Sequence, residues 1–176
     1  RISEYVNGDA GWLMTIGFAA WAVSLLATAV VARGLFSGPG VSWALVLAAF
    51  GMVLVACFAT QTSAGELLPG DSLTLSGRLH DRGSGLVMIG LTIAGALALR
   101  RGGPRRLRRR TLLLLLAVLP VLIALIAIGD DVDGIRQRLL VGTGCAWQLL
   151  LLMEAVAGDR VPAHASSTSG PPPSIR

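Results

Sequence analysis

Five apolar stretches, none containing a charged side chain, follow one another along this chain of 176 residues. They cover residues 12–32, 41–60, 83–99, 111–129 and 139–153. An α-helix rises about 1.5 Å per residue, so about 20 apolar residues cross the roughly 30 Å of hydrocarbon in a bilayer. The third and fifth stretches are short, and we expect their helices to begin in the polar residues just before them. The predicted spans are therefore residues 12–32, 41–60, 80–99, 111–129 and 135–156.

Composition indicates that hydrocarbon is the solvent around these spans. Hydrophobic residues make up 53% of the chain and charged residues 14%, against roughly 25% charged in a soluble domain. The mean hydropathy is +0.70. Membrane strands would alternate in polarity, whereas these stretches are apolar on every face. The sequence predicts an all-α fold, a transmembrane helical bundle over residues 1–158, followed by a disordered cytoplasmic tail over residues 159–176.

Arginine is distributed unevenly between the connections. All 15 basic residues are arginines, and seven of them lie within residues 100–110. The positive-inside rule places this segment, read as a loop, in the cytoplasm, and the C-terminus then lies on the same side. The positive charge lies beside spans rather than on a soluble face. It therefore favours membrane lipids over nucleic acid as partners. Residues 100–110 are interpreted first as an orientation signal with no partner, and a binding site for anionic lipid is the alternative.

This orientation leaves the N-terminal segment outside, so we expect a sixth helix ahead of residue 1 in the intact protein. The use of arginine alone, with abundant alanine and glycine, favours a bacterial source and hence the bacterial plasma membrane. The sequence leaves the oligomeric state open.

Polar side chains gather at the predicted outer boundary of the spans. An arginine at the start of the fifth span could neutralise an acid near the first or third, and Ser84 lies one helical turn from His80. Three interpretations stay open: a structural clamp, a ligand site, or solvated loop charge. The candidate residues are Glu4, Tyr5, Asp9, His80, Asp81, Ser84, Arg136, Gln137 and Arg138.

Small and aromatic residues predict how the spans pack. Close helix contacts in lipid favour small residues four apart, and three such pairs are Ala44 with Ala48, Gly90 with Ala94, and Gly142 with Ala146. Trp21 and Trp147 lie deep within spans and are expected between helices, whereas Trp12 and Trp43 suit the membrane interfaces. Both cysteines, Cys57 and Cys145, are predicted to be apolar packing residues.

Three short segments carry a family resemblance. They are residues 2–14 (ISEYVNGDAGWLM), residues 77–80 (GRLH), and residues 137–139 (QRL) ahead of Trp147. Over about residues 2–153 the chain resembles the family called domain of unknown function 998, bacterial membrane proteins with about six predicted helices. The resemblance implies a helix ahead of residue 2 and no reaction, cofactor or catalytic residue. Where members often have Phe-Pro-Thr-Asp, this chain has Phe-Ala-Thr-Gln at residues 58–61, which leaves any role of that acid and proline open.

The residue pattern favours binding over catalysis or ion transport. With histidines only at 80 and 164, no histidine-rich metal site and no haem held by two histidines is expected, and we predict neither metal nor cofactor. A metal-free enzyme using His80 with Ser84 or Asp81 remains an alternative. No charge lies within the uninterrupted stretches, which argues against ion-coupled transport but leaves a small-molecule or lipid transporter as an alternative. The leading prediction is a multipass membrane protein with a binding, sensing or structural role.

Overall fold

The computed structural model describes residues 11–61, 72, 74–100, 103–128 and 133–159. Within those residues it contains five α-helices and no strand. The helices are α1 (Gly11–Leu35), α2 (Gly40–Cys57), α3 (Leu75–Arg100), α4 (Arg105–Ile128) and α5 (Asp133–Asp159). Each is long and apolar enough to cross a membrane. The predicted all-α fold class is confirmed, and the chain is a membrane protein with several spans.

Several helix boundaries differ from the predicted spans by three residues or more. α3 begins at Leu75, five residues before the predicted start at residue 80. α2 ends at Cys57, and the next residue, Phe58, is extended with φ −120° and ψ 126°. α4 begins at Arg105, so the prediction of a loop over residues 100–110 is wrong from residue 105 onward. Arginine is a good helix former, and the carbonyl of Pro104 accepts a hydrogen bond from the Arg108 amide at 3.1 Å to start the helix. The disordered tail predicted beyond α5 lies outside the described residues.

Consecutive helices run in opposite directions, which gives the bundle two chemically different ends. We call the end where α1, α3 and α5 begin the histidine end, because it contains His80 near the start of α3. The opposite end, where α2 and α4 begin, is the arginine end, and it contains the arginines of residues 105–110. Among the described residues, arginine is therefore concentrated at one end of the bundle.

The most extensive helix contact joins α2 to α3. At its centre the two backbones nearly touch, since a Cβ added to Gly51 would lie 2.6 Å from the carbonyl oxygen of Gly83. About two turns toward the arginine end, a Cβ on Gly90 would lie 2.7 Å from the Ala44 carbonyl oxygen and 2.8 Å from the Ala48 amide nitrogen. Small residues thus allow close packing, which replaces the hydrophobic drive that helices lack in lipid. The predicted contact is confirmed for Ala44, Ala48 and Gly90, and Ala94 is fully buried.

α1 packs on the other side of α2 and is tied to it by a buried polar contact. The Ser42 hydroxyl donates to the carbonyl oxygen of Ala29 at 2.7 Å, and the Arg33 Nε donates to the same hydroxyl at 3.3 Å. Leu25 and Leu45 are fully buried nearby. The short connection of residues 36–39, with Gly38 at a φ of 111°, reverses the chain between the two helices.

α4 is attached to the bundle mainly at the arginine end. Its only buried residues among those described are Leu107 and Thr111. The Thr111 hydroxyl accepts a hydrogen bond from Trp147 Nε1 at 3.1 Å, and Arg110 lies 3.8 Å from the Glu154 carboxylate. Most large apolar side chains farther along α4 are exposed. The helix is therefore held to α5 over its first two turns and stands largely free beyond them.

The remaining packing predictions have mixed outcomes. Trp147 is buried against α4, and Trp21 Nε1 donates to Gln148 Oε1 at 3.2 Å, so both deep tryptophans lie between helices as predicted. The prediction for Gly142 is wrong, because a Cβ there would meet no atom within 4 Å. The prediction that Cys57 is a packing residue is also wrong, since its side chain is exposed.

Candidate functional site

A cavity of about 780 Å³ opens between the helices at the histidine end. All five helices contribute to its wall, α4 only through residues near its C-terminus. The inner part is apolar and includes Trp21, Met52 and Val87. The polar wall residues are Thr60, His80, Asp81, Ser84, Arg136 and Gln137. Polar groups and an apolar floor are the usual combination in small-molecule sites.

His80 is the most buried ionisable side chain of this wall, with 2% of its surface exposed. Its Nδ1 lies 2.7 Å from the carbonyl oxygen of Phe58. A carbonyl oxygen only accepts hydrogen bonds, so Nδ1 carries the proton and a neutral ring has an acceptor lone pair on Nε2. That Nε2 is buried and has no hydrogen-bond partner among the residues that the structure describes.

The Phe58 carbonyl is available because α2 stops one residue earlier. The Phe58 amide still donates to the Leu54 carbonyl at 3.0 Å, but its own carbonyl lies beyond the last helical turn and needs a donor from elsewhere. Residues at the start of α3 also hold Ala59 and Gln61, which follow α2. Ser76 Oγ donates to the Ala59 carbonyl at 3.3 Å, and the Thr74 amide donates to Gln61 Oε1 at 2.5 Å.

Gln61 satisfies a donor at the start of α3. Its side-chain oxygen accepts from the Thr74 amide just before the helix. A side-chain oxygen at a helix start satisfies one of the amide donors that the helix leaves unpaired.

The structure brings five of the nine candidate residues to one cavity. His80, Asp81 and Ser84 come from the first turns of α3, and Arg136 and Gln137 come from the first turn of α5. Arg138, by contrast, is exposed and does not line the cavity. The candidates Glu4, Tyr5 and Asp9 lie outside the described residues.

The geometry bears on the catalytic and metal alternatives. Because His80 Nε2 has no hydrogen-bond partner in the described part of the chain, Ser84 is not positioned as a nucleophile activated by this ring. Among residues 11–61, 72, 74–100, 103–128 and 133–159, no group of three His, Cys, Asp or Glu side chains could hold a metal ion. The wall offers hydrogen-bonding groups, one guanidinium, one carboxyl group and an apolar floor.

Sequence reasoning missed several wall residues. Thr60 lies in the extended segment after α2, and Trp21 reaches the wall from α1. Cys145, from α5, is half-buried at the cavity rather than packed in the core. Thr60 could have been predicted, because it is a polar residue at the end of the apolar stretch 41–60. No local signal distinguished the cavity face of α1 or of α5 beyond its polar first turn, because these segments are largely apolar on all sides.

Comparison with known proteins gives one match. The model of a family described as a protein of unknown function, DUF998, matches residues 1–154, which covers all five helices except the last turn of α5. No curated protein and no solved structure matches the chain. The match supplies no activity, so the chemistry of the cavity has to be read from its own residues.

Proposed function

We propose that this chain, which belongs to the DUF998 family, binds a molecule in the cavity at the histidine end by offering His80 Nε2 to a hydrogen-bond donor. The observation that carries the proposal is the buried, unpartnered ring nitrogen. A buried acceptor without a partner costs about 1–3 kcal/mol. A bound hydroxyl, amine or amide would remove that cost, so the cavity selects for molecules that carry such a donor.

The size and lining of the cavity support binding. Small-molecule sites commonly enclose roughly 300–1,000 Å³, with mostly apolar walls and a few polar groups that fix orientation. This cavity, at about 780 Å³, falls in that range. Arg136 and Gln137 face the same space from α5, so a ligand would contact both halves of the bundle.

His80 also has a structural role, and substitutions can separate the two. Asparagine has its amide nitrogen the same number of bonds from Cα as Nδ1, so His80→Asn keeps a donor for the Phe58 carbonyl and removes the acceptor at Nε2. His80→Phe removes both groups. We expect His80→Asn to unfold at nearly the wild-type detergent concentration and to lose binding, and His80→Phe to lose both.

The test uses a photoreactive four-carbon alcohol and its methyl ether, which differ in the hydroxyl donor. Each is applied to the full chain in lipid nanodiscs, and labelled peptides are mapped by mass spectrometry. The wild type should show saturable labelling of cavity peptides by the alcohol and not by the ether, and His80→Asn should lose this difference. Equal labelling by alcohol and ether in both proteins would mean that His80 is a structural clamp only.

We propose further that the chain lies in the plasma membrane with the arginine end in the cytoplasm. Support comes from the five arginines within residues 105–110, all exposed at the start of α4. The test places one cysteine by Arg109→Cys in a Cys57→Ser, Cys145→Ser background. A membrane-impermeant maleimide should label it only after the cells are permeabilised, and labelling of intact cells would reverse the orientation.

A further inference from the structure

A second, almost wholly apolar groove continues from the histidine-end cavity along α3. This groove, of about 340 Å³, lies between α3, α4 and α5. Met88, Leu122 and Leu140 belong to the walls of both spaces. The two spaces therefore meet at these three side chains, with the polar groups at one end of the combined space.

The polar atoms of the groove are largely occupied by the protein itself. Thr111 accepts a hydrogen bond from Trp147, and the Thr143 hydroxyl donates to the Leu139 carbonyl at 2.7 Å. The other wall residues are chiefly leucine, alanine and glycine. A polar ligand would gain little here, whereas a hydrocarbon chain would fit the lining.

The combined space is long in one direction. Its wall on α3 extends from His80 in the cavity to Leu99 in the groove. These nineteen steps of helix correspond to about 28 Å, nearly the thickness of a bilayer's hydrocarbon. α4 forms one side of the groove and is attached to α5 mainly over its first turns. Few of its later residues are buried, so this side of the groove borders the hydrocarbon of the bilayer.

We infer that the ligand of the His80 cavity is a long-chain amphiphile, with a hydrogen-bond donor in its headgroup at His80 and an aliphatic chain in the groove between α3, α4 and α5. This inference rests on the proposed binding function and adds to it an aliphatic chain on the ligand. Bilayer hydrocarbon already surrounds such a chain, so the groove contributes shape-dependent packing rather than hydrophobic transfer. Selectivity for the headgroup comes from the cavity, and selectivity for chain length comes from the groove.

One glycine on the groove wall allows a specific block. A Cβ added to Gly95 would meet no atom within 4 Å, so Gly95→Leu can place a side chain in the groove without displacing the backbone. Gly85 is the matched control, because it is on the same helix, has the same open surroundings and lines neither space. Replacing glycine by leucine raises helix propensity at both positions, so both variants should fold.

The experiment compares a photoreactive sixteen-carbon alcohol with the four-carbon alcohol, in nanodiscs of the full-length wild type and both variants. We expect Gly95→Leu to weaken saturable labelling by the long alcohol about fivefold or more, from the lost contacts of a few methylene groups. Labelling by the short alcohol should be unchanged, and Gly85→Leu should match the wild type. The long alcohol has its photoreactive group, a diazirine, in the middle of its aliphatic chain. In the wild type this group should label peptides that contain groove residues of α3 or α4.

Two results would overturn the inference without touching the cavity proposal. One is equal labelling of Gly95→Leu and Gly85→Leu by the long alcohol, and the other is mid-chain labelling confined to peptides outside the groove. Loss of the alcohol-over-ether preference in the wild type would instead remove the binding proposal itself. The two failures are therefore distinguishable in one set of samples.

Discussion

Gly83→Ala tests the closest backbone contact in the bundle. The added Cβ would lie 2.7 Å from the Gly51 carbonyl oxygen, 2.8 Å from Leu54 Cβ and 3.2 Å from Val55 Cγ2. The two nearest atoms are a backbone oxygen and a Cβ, and neither can rotate away. Ordinary contact begins near 3.4 Å, so α2 and α3 must separate locally by about 0.7 Å.

The cost of that separation follows from packing in lipid. A radial gap of about 0.5–1 Å removes a quarter to a half of the dispersion energy of each contact it opens. Overpacking of a close-packed interior typically costs about 1–3 kcal/mol. In a helix, alanine is more favourable than glycine by about 0.5–1 kcal/mol, and this difference applies at exposed positions as well. Gly85→Ala, two residues away with open space around its Cβ, therefore isolates the propensity term.

We expect Gly83→Ala to be less stable than Gly85→Ala by about 1–3 kcal/mol. The free energy of unfolding is measured by titrating sodium dodecyl sulfate into mild-detergent micelles and following tryptophan fluorescence, since Trp21 and Trp147 lie between helices. Circular dichroism of both variants checks that the helix content is unchanged. If the two variants unfold at the same detergent fraction, α2 and α3 do not approach each other as closely as the structure has them.

Two other contacts give measurable outcomes. Trp147→Phe removes the hydrogen bond to α4 and should lower the free energy of unfolding by about 1 kcal/mol in the same titration. The control is Trp43→Phe, at a side chain that is 61% exposed, which should leave the midpoint unchanged. Equal shifts in the two variants would show that this hydrogen bond does not hold α4. Replacing the arginines of residues 105–110 by glutamine should reduce the amount of phosphatidylglycerol that stays bound to the protein in native mass spectrometry. The control variant, Arg78→Gln with Arg82→Gln at the histidine end, should retain as much lipid as the wild type. If neither variant loses lipid, residues 105–110 do not bind anionic lipid.

The sequence placed individual side chains well where a local rule applied. Ala44 with Ala48 and Gly90 with Ala94 were predicted to contact a neighbouring helix. The structure places Ala44, Ala48 and Gly90 at the α2–α3 contact, and Ala94 is fully buried. The same rule failed at Gly142. On α5 the buried glycine is Gly144, whose added Cβ would lie 2.9 Å from Leu91 Cδ1. Glycines two apart point to different faces, and an all-round apolar helix carries no pattern that says which face is inward.

The candidate site was predictable in part for the same reason. Polar residues at the starts of α3 and α5 stand out in an apolar sequence, so His80, Ser84 and Arg136 could be found without a structure. That His80 is buried, and that it donates to the Phe58 carbonyl, depends on where α2 stops. The predicted span ran on to residue 60, because Phe58 and Ala59 are as apolar as the helix before them.

The number of membrane-crossing helices, their approximate limits and the concentration of arginine at the start of α4 were determined by the sequence, because each depends on hydropathy and charge within one short segment. Which helices touch was decided only by the tertiary structure. In hydrocarbon every apolar face is equally well solvated, so helix pairing is set by shape at residues such as Gly51 and Gly83. The weak attachment of α4 and the space that it leaves beside α3 follow from that fit.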